Sequence, residues 1–213
     1  MSGQGVQMIH DPAPLTGVQA AQVIRGGAMQ MLGAVERPGV AAAIWQRDLP
    51  LGLTDWLDGL PPERLPRLRH LLAPDQVEAA MRAACAVAAT PAGPQRAALI
   101  QDVALLASLF AGLLGESLVQ LRLEVIRDDA CRRFHIDRVR ARLLCSYRGP
   151  GTQLARSDGT ELDGLARGQA GLLRGSLWPG ETTALLHRSP PISGSGTARL
   201  LLAIDPAPLD DDA

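Results

Sequence analysis

The stretch FHIDRVRARLLCSY at positions 134–147 combines a strand-like pattern with two potential metal ligands. In an extended strand, side chains two positions apart point to the same face of the sheet. His135 and Asp137 are therefore predicted to project together, while Ile136 points to the other face. The stretch thus predicts an imidazole and a carboxylate directed at one point.

The same alternation, continued from Asp137, predicts which later side chains share the ligand face. Tyr147, the single tyrosine of the chain, is expected to face the presumed cavity, with a rim position as the alternative. Thr152, just after the Gly149–Gly151 turn, is expected to line the same pocket. Three arginines are predicted to point outward as a solvated strand face: Arg138, Arg140 and Arg142.

A second histidine, His187, follows 52 positions after His135, near the end of another apolar segment. Two histidines and one carboxylate form the ligand set of non-haem iron sites that keep open positions for substrate. The alternative is that the two histidines are unrelated. Cys131 lies four residues before His135, so a zinc site with Cys, His, Asp and His ligands is also conceivable.

Outward from this stretch, short extended segments separated by turn residues predict a β-rich second half. Together they suggest a sandwich or a jelly roll, and an antiparallel jelly roll is the prediction. The loop at 156–168 carries no recognisable motif. The predicted strands are Leu118–Arg127, Phe134–Tyr147, Gly171–Trp178, Thr182–Arg188 and Thr197–Asp205.

The first half has apolar residues at helical spacing and predicts helices. A short helix is expected from Ala20 to Met31, and a second is expected from Asp75 toward Ala89. A third, from Gln95 to Leu114, presents a wide apolar stripe that predicts a central helix under the sheet. The fold class is thus α+β in a single domain of 213 residues: a mainly helical part over 1–116, a β-rich part over 117–206 and a flexible tail over 207–213.

Composition excludes several classes of function. The chain has no lysine, which rules out P-loop and Schiff-base chemistry. Aromatic residues make up 3% and the net charge is -1, so no nucleic-acid partner is expected. The N-terminus lacks the pattern of a signal peptide and no apolar run is long enough for a membrane span, so a cytoplasmic protein with no membrane partner is expected. Three cysteines without a CxxC pair argue against disulfides.

The segment 131–152 resembles the bacterial domain-of-unknown-function family 1826, and the segments 187–191 and 199–205 look like the closing motifs of that family. That family has no assigned activity. Its members look as though they are often encoded beside zinc-homeostasis genes. The resemblance therefore implies a role in metal handling.

The residues His135, Asp137, His187 and Arg199 also resemble the site of oxygenases that depend on Fe(II) and 2-oxoglutarate. That resemblance implies that the triad holds iron and that Arg199, twelve residues after His187, binds the far carboxylate of 2-oxoglutarate. Tyr147 and Thr152 would complete the pocket. Two alternatives stay open: a non-catalytic zinc-binding protein of zinc homeostasis, and a structural or interaction protein without metal. The substrate could be a small molecule or a protein, and the sequence indicates neither its identity nor the oligomeric state.

Overall fold

The structure is a computed structural model that describes residues 19–129 and 131–208. Strands dominate these residues. They are β1 (Gln19–Ala20), β2 (Gln22–Gly26), β3 (Val40–Trp45), β4 (Leu68–Leu72), β5 (Val119–Ile126), β6 (Ala141–Arg148), β7 (Thr152–Arg156), β8 (Glu161–Leu165), β9 (Ala170–Arg174), β10 (Thr182–Thr183), β11 (Leu185–Arg188) and β12 (Arg199–Pro206).

The helices lie between β3 and β5. They are α1 (Leu53–Gly59), α2 (Val77–Val87) and α3 (Pro94–Leu114), with short 3-10 segments at Met29–Glu36, Pro62–Arg64 and Pro74–Gln76. Helix α3 begins with Pro94 at its first turn and ends at Gly115, whose φ of 70° is the left-handed conformation that glycine adopts without steric cost. Helix α2 was predicted from Asp75 toward Ala89 and helix α3 from Gln95 to Leu114. Both predictions are confirmed to within two residues at each end.

The strands form one large sheet and two small ones. The large sheet has the order β2-β3-β9-β6-β12-β5-β4, and all its pairs are antiparallel except β2 with β3. A three-stranded sheet has the order β11-β7-β8, and β1 pairs with β10. Side chains of the large and the three-stranded sheet meet in one apolar layer that includes Ile44, Leu144, Leu173, Leu154 and Leu185. Two facing sheets of this kind form a jelly-roll-like architecture.

The other face of the large sheet packs against the helices. Val103, Leu106 and Phe110 of α3 are buried together with Leu143 and Leu202 of the sheet. By length and composition alone, α3 is apolar enough to cross a membrane, yet 56% of its most apolar stretch is buried in the protein. This is the packing expected of a central core helix.

Three expectations about the chain's organisation differ from the structure. Residues 22–26 form a strand and not part of a helix, because β2 pairs with β3 along the edge of the large sheet. The division into a helical and a β-rich part is not observed, since β2, β3 and β4 of the first half join strands of the second half in one sheet. The segment at 156–168, expected as a loop, includes β8, which pairs with β7. Most of the predicted tail, residues 209–213, lies outside the described residues.

Candidate metal centre

Three ligating side chains predicted from the sequence converge at one end of the space between the sheets. One potential ligand atom from each of His135, Asp137 and His187 lies within 4.8 Å of the others. The His187 Nε2 atom is 3.0 Å from Asp137 Oδ2, and the His135 Nε2 atom is 3.5 Å from Asp137 Oδ1. The two imidazole rings are 4.5 Å apart between centroids. The structure therefore brings together the two histidines and the carboxylate from distant parts of the chain.

Backbone hydrogen bonds fix this convergence. The His135 and His187 backbones exchange two hydrogen bonds of 3.1 and 3.0 Å, which places the two histidines opposite each other as an isolated bridge. The Asp137 carbonyl accepts a hydrogen bond from the Ser176 N–H at 2.9 Å. Residues 136–140 are thus held by loop contacts and not by a ladder, so the predicted strand begins at Ala141 instead of Phe134.

The orientation of the His135 ring is fixed by a hydrogen bond of its second nitrogen. Its Nδ1 atom lies 2.8 Å from the Arg133 carbonyl oxygen, which can only accept a hydrogen bond. Nδ1 therefore donates to this carbonyl, which leaves Nε2 as the ring nitrogen that faces Asp137. A backbone acceptor of this kind is the usual means of orienting a metal-binding histidine.

Asp137 has the properties of a cation ligand. Its Oδ2 atom is buried, and no donor among the described residues satisfies it with hydrogen-bond geometry despite the short contact to His187. Burial acts to raise the pKa of this carboxyl, but the contact with His187 and the charges of Arg142 and His135 lower it to about 2. The group is therefore ionised near neutral pH, with a buried oxygen that lacks a donor. A divalent cation with two neutral imidazoles fits this arrangement.

An arginine that the sequence did not single out as part of the site holds Asp137 in place. Arg142 forms an ion pair with Asp137 Oδ1 and donates two further hydrogen bonds to Asp205 on β12, at 2.5 and 2.8 Å. The expectation that Arg142 points outward is therefore wrong. Arg122 on β5 contacts the same Asp205 carboxylate at 3.0 Å. Asp205 could have been found from the sequence, because it lies six positions after Arg199 and strand alternation puts both on one face.

Arg199 lies on β12 and is fully buried. Its guanidinium donates hydrogen bonds to the Pro150 carbonyl at 2.8 Å, to Ser189 Oγ at 2.6 Å and to Ser146 Oγ at 3.2 Å. In the described part of the chain no carboxylate pairs with it. Burial lowers the pKa of its guanidinium to about 10, and the nearby Cys131 opposes this shift only in part. A buried cation of this kind is costly unless an anion compensates it.

Ser189 connects Arg199 with the ligand cluster. It comes two residues after His187, so the end of β11 supplies both a histidine to the cluster and a hydroxyl to the arginine. Ser189 and Thr152 line the same cavity as His135 and His187, and this is the placement predicted for Thr152. Ser189 was missed, although its even spacing from His187 predicts a shared face.

Tyr147 lies on the opposite face of the large sheet, so the expectation that it lines the pocket is wrong. Its hydroxyl donates a hydrogen bond of 2.6 Å to Asp102 Oδ2 of α3, and Asp102 is also paired with Arg47. Burial and the Asp102 charge raise the pKa of Tyr147 well above its usual range. Alternation fails because residues 136–140 are irregular, and a slip of one residue exchanges the two faces of a strand.

Cys131 is exposed and lies outside the group of ligand atoms that includes the two histidines and Asp137. A four-ligand set that includes this thiol is thus not assembled by the described residues. The three cysteines are free, as expected from their number and spacing. Cys145 is buried on the helix side of the sheet, and burial raises its pKa to about 12.

The fold is similar to that of a dioxygenase of known structure. The chain is similar to the dioxygenase for auxin oxidation 1 from Arabidopsis thaliana, with 14% identity over 92% of this chain and 97% of that one, at a TM-score of 0.52. The 2-oxoglutarate complex of the same plant enzyme matches with 13% identity over 91% and 95% of the two chains, at a TM-score of 0.53. A prolyl-4-hydroxylase from Pseudomonas putida shows 16% identity over 82% and 95%, at a TM-score of 0.45.

The sequence itself matches one family. The model described as "Protein of unknown function (DUF1826)" covers residues 26–205, and the chain belongs to this family. No curated protein matches the chain by sequence.

Proposed function

We propose that this protein is an oxygenase that depends on Fe(II) and 2-oxoglutarate. The observation that carries the proposal is the combination of two features inside one jelly-roll-like fold. One is the cluster of His135, Asp137 and His187, and the other is the buried Arg199 without an acidic partner. Among the described residues Arg199 has no carboxylate partner, and one buried oxygen of Asp137 has no hydrogen-bond donor, although Arg142 pairs with the other oxygen.

In this proposal His135, Asp137 and His187 hold the iron. His135 and His187 contribute neutral Nε2 atoms, and Asp137 contributes the negative charge that Arg142 keeps in place. Three protein ligands leave positions for the co-substrate and dioxygen. When bound, iron and 2-oxoglutarate supply the activation of dioxygen that oxidises a substrate.

Arg199 binds the far carboxylate of 2-oxoglutarate. Its planar guanidinium suits two parallel hydrogen bonds to a carboxylate, and burial makes that charge-assisted pair strong. Ser189 and Ser146 accept hydrogen bonds from the guanidinium. Gly149 has no side chain, so the backbone can pack closely against Arg199. A Cβ atom at Gly149, where φ is +75°, would lie 2.9 Å from Arg199 Cγ.

The test is an assay of metal content and succinate release on protein purified without oxygen. After addition of Fe(II), 2-oxoglutarate and air, the wild-type protein is expected to release succinate in the absence of a substrate. Asp137→Ala is expected to lose iron binding and succinate release. Asp75→Ala removes an exposed carboxylate elsewhere and is the matched control, which should retain both.

Two results would contradict the proposal. Tightly bound zinc with no succinate release would support a non-catalytic zinc-binding protein. Absence of any bound metal in the wild-type protein would support a structural or interaction role instead.

A further inference from the structure

The cavity that contains His135 and His187 extends over strands β4 and β5 and has a volume of about 540 Å³. That volume lies within the range of about 300–1,000 Å³ that is typical of small-molecule sites. Among the described residues, its lining contains two acidic side chains, Glu124 and Asp128, against six arginines. The arginines are Arg67, Arg69, Arg122, Arg127, Arg142 and Arg188.

The inner part of the cavity presents more positive than negative charge to a bound molecule. Arg122 and Arg142 share one carboxylate, that of Asp205. The second acidic partner of Arg142 is Asp137, whose charge is committed to the metal in the proposed function. The Nε atom of Arg122 is buried and has no acceptor among the described residues. A buried N–H donor without an acceptor is costly, so a bound acceptor would be stabilised there.

The outer arginines are paired only at the surface. Arg69 contacts Glu124 at 2.7 Å and Arg127 contacts Glu63 at 3.2 Å, and both arginine side chains are more than half exposed. Exposed ion pairs contribute little and exchange partners readily. Arg67 is exposed and forms no ion pair within 19–129 and 131–208. These side chains therefore leave the mouth of the cavity attractive to anions.

The part of the cavity wall that lies beside Arg122 is apolar, because Ala203 of β12 is the strand partner of Arg122. Leu144, Leu201 and Ala203 line the cavity beside the ligand cluster, and Ile126 lines it from β5. A ligand that fills the cavity must therefore present an apolar surface to this part of the wall and a negative charge to the arginines.

We propose, on the basis of the function proposed above, that the substrate is a small molecule with an apolar body and one carboxylate or phosphate head group. Arg122 binds the head group through the part of its guanidinium that is exposed to the cavity, and Arg67 assists at the mouth. The apolar body lies against Leu144 and Leu201, close to the histidines. The head-group site is separate from Arg199, which binds the co-substrate.

The experiment is calorimetric titration of the full-length, metal-free protein with three probes that share one alkyl chain: hexanoate, hexyl phosphate and hexan-1-ol. One of the two anions is expected to bind at least ~10-fold more tightly than the alcohol, as for a charge-assisted hydrogen bond. A tighter hexanoate identifies a carboxylate head group, and a tighter hexyl phosphate identifies a phosphate. Equal affinities for the alcohol and both anions would overturn the proposal.

Variants locate the binding site. Arg122→Gln is expected to reduce the affinity for the preferred anion about 10-fold and to leave hexan-1-ol unchanged. Arg82→Gln, which changes an exposed arginine of α2 outside the cavity, is the control and should bind like the wild type. If Arg122→Gln does not fold, Arg67→Gln at its exposed position provides the test, with an expected loss of about threefold. An affinity lost in Arg199→Gln but not in the Arg122 or Arg67 variants would overturn the proposal.

The two proposals fail separately. A preference for the anion that depends on Arg122, without succinate release, would refute the oxygenase function but not the head-group site. Succinate release without any preference among the three probes would refute the head-group site and keep the oxygenase function.

Discussion

The two faces of the large sheet bury charged groups in different ways. On the helix face, Arg47 contacts both carboxylate oxygens of Asp102, and Tyr147 donates a hydrogen bond to the same carboxylate. On the jelly-roll face, Arg199 is buried without an acid and Asp137 has an unsatisfied buried oxygen. The charges of the helix-face network are thus compensated within the protein, whereas on the jelly-roll face Arg199 has no carboxylate partner among the described residues. In the proposed function, this difference separates a structural network from a ligand site.

The largest expected effect comes from disrupting the ion pair of Arg47 and Asp102 on the helix face. Asp102→Ala leaves the guanidinium of Arg47 buried without a carboxylate, which should reduce the free energy of unfolding by about 3–5 kcal/mol. Urea titration measures this change. Glu78→Ala, which removes an exposed ion pair with Arg82, is the control and should cost less than about 1 kcal/mol. A similar small loss in both variants would show that the helix-face network contributes little.

Next in size is the effect of Arg199→Met on ligand binding. The affinity for 2-oxoglutarate should fall by about 10- to 100-fold, because one charge-assisted carboxylate contact is lost. The free energy of unfolding without ligand should change by less than about 1 kcal/mol, because removal of an uncompensated charge offsets the lost hydrogen bonds. Metal affinity should be retained. A large loss of stability with unchanged co-substrate affinity would place Arg199 in the structural class with Arg47.

Asp205→Asn tests how the ligand cluster is supported. Without the full charge of Asp205, Arg142 is held less firmly against Asp137, and metal affinity is expected to fall about 10-fold. Titration with Co(II) under anaerobic conditions, followed by its absorption spectrum, measures the affinity. The exposed Asp158→Asn is the control. Wild-type affinity in Asp205→Asn would mean that Asp137 is positioned by its backbone alone.

The smallest expected effect is that of Tyr147→Phe. The hydroxyl contacts Asp102, which keeps its ion pair with Arg47, so the loss should be about 1 kcal/mol in unfolding free energy. Succinate release and metal affinity should remain those of the wild type. A selective loss of activity in this variant would show that the helix face takes part in function after all.

Local patterns predicted much of this molecule. The apolar stripe and Gly115 predicted α3, because a helix forms from contacts three and four residues apart. The side-chain chemistry of His135, Asp137 and His187 predicted that they lie together, which the structure confirms, whereas Arg199 was singled out by the resemblance to oxygenases. The strands β2, β3 and β4 were missed, because their short segments are stabilised by pairing with residues far away in the sequence.

The sequence alone thus determined which groups are available to the site, while the tertiary structure decided which of them share it. Tyr147 and Arg142 exchanged their predicted faces because the irregular residues 136–140 shift the alternation by one position, and the hydrogen bonds that hold these residues come from the loop after β9. Arg122 and Asp205 lie next to the ligand cluster because β5 and β6 both pair with β12. Such contacts depend on the register between distant strands, which no local pattern records.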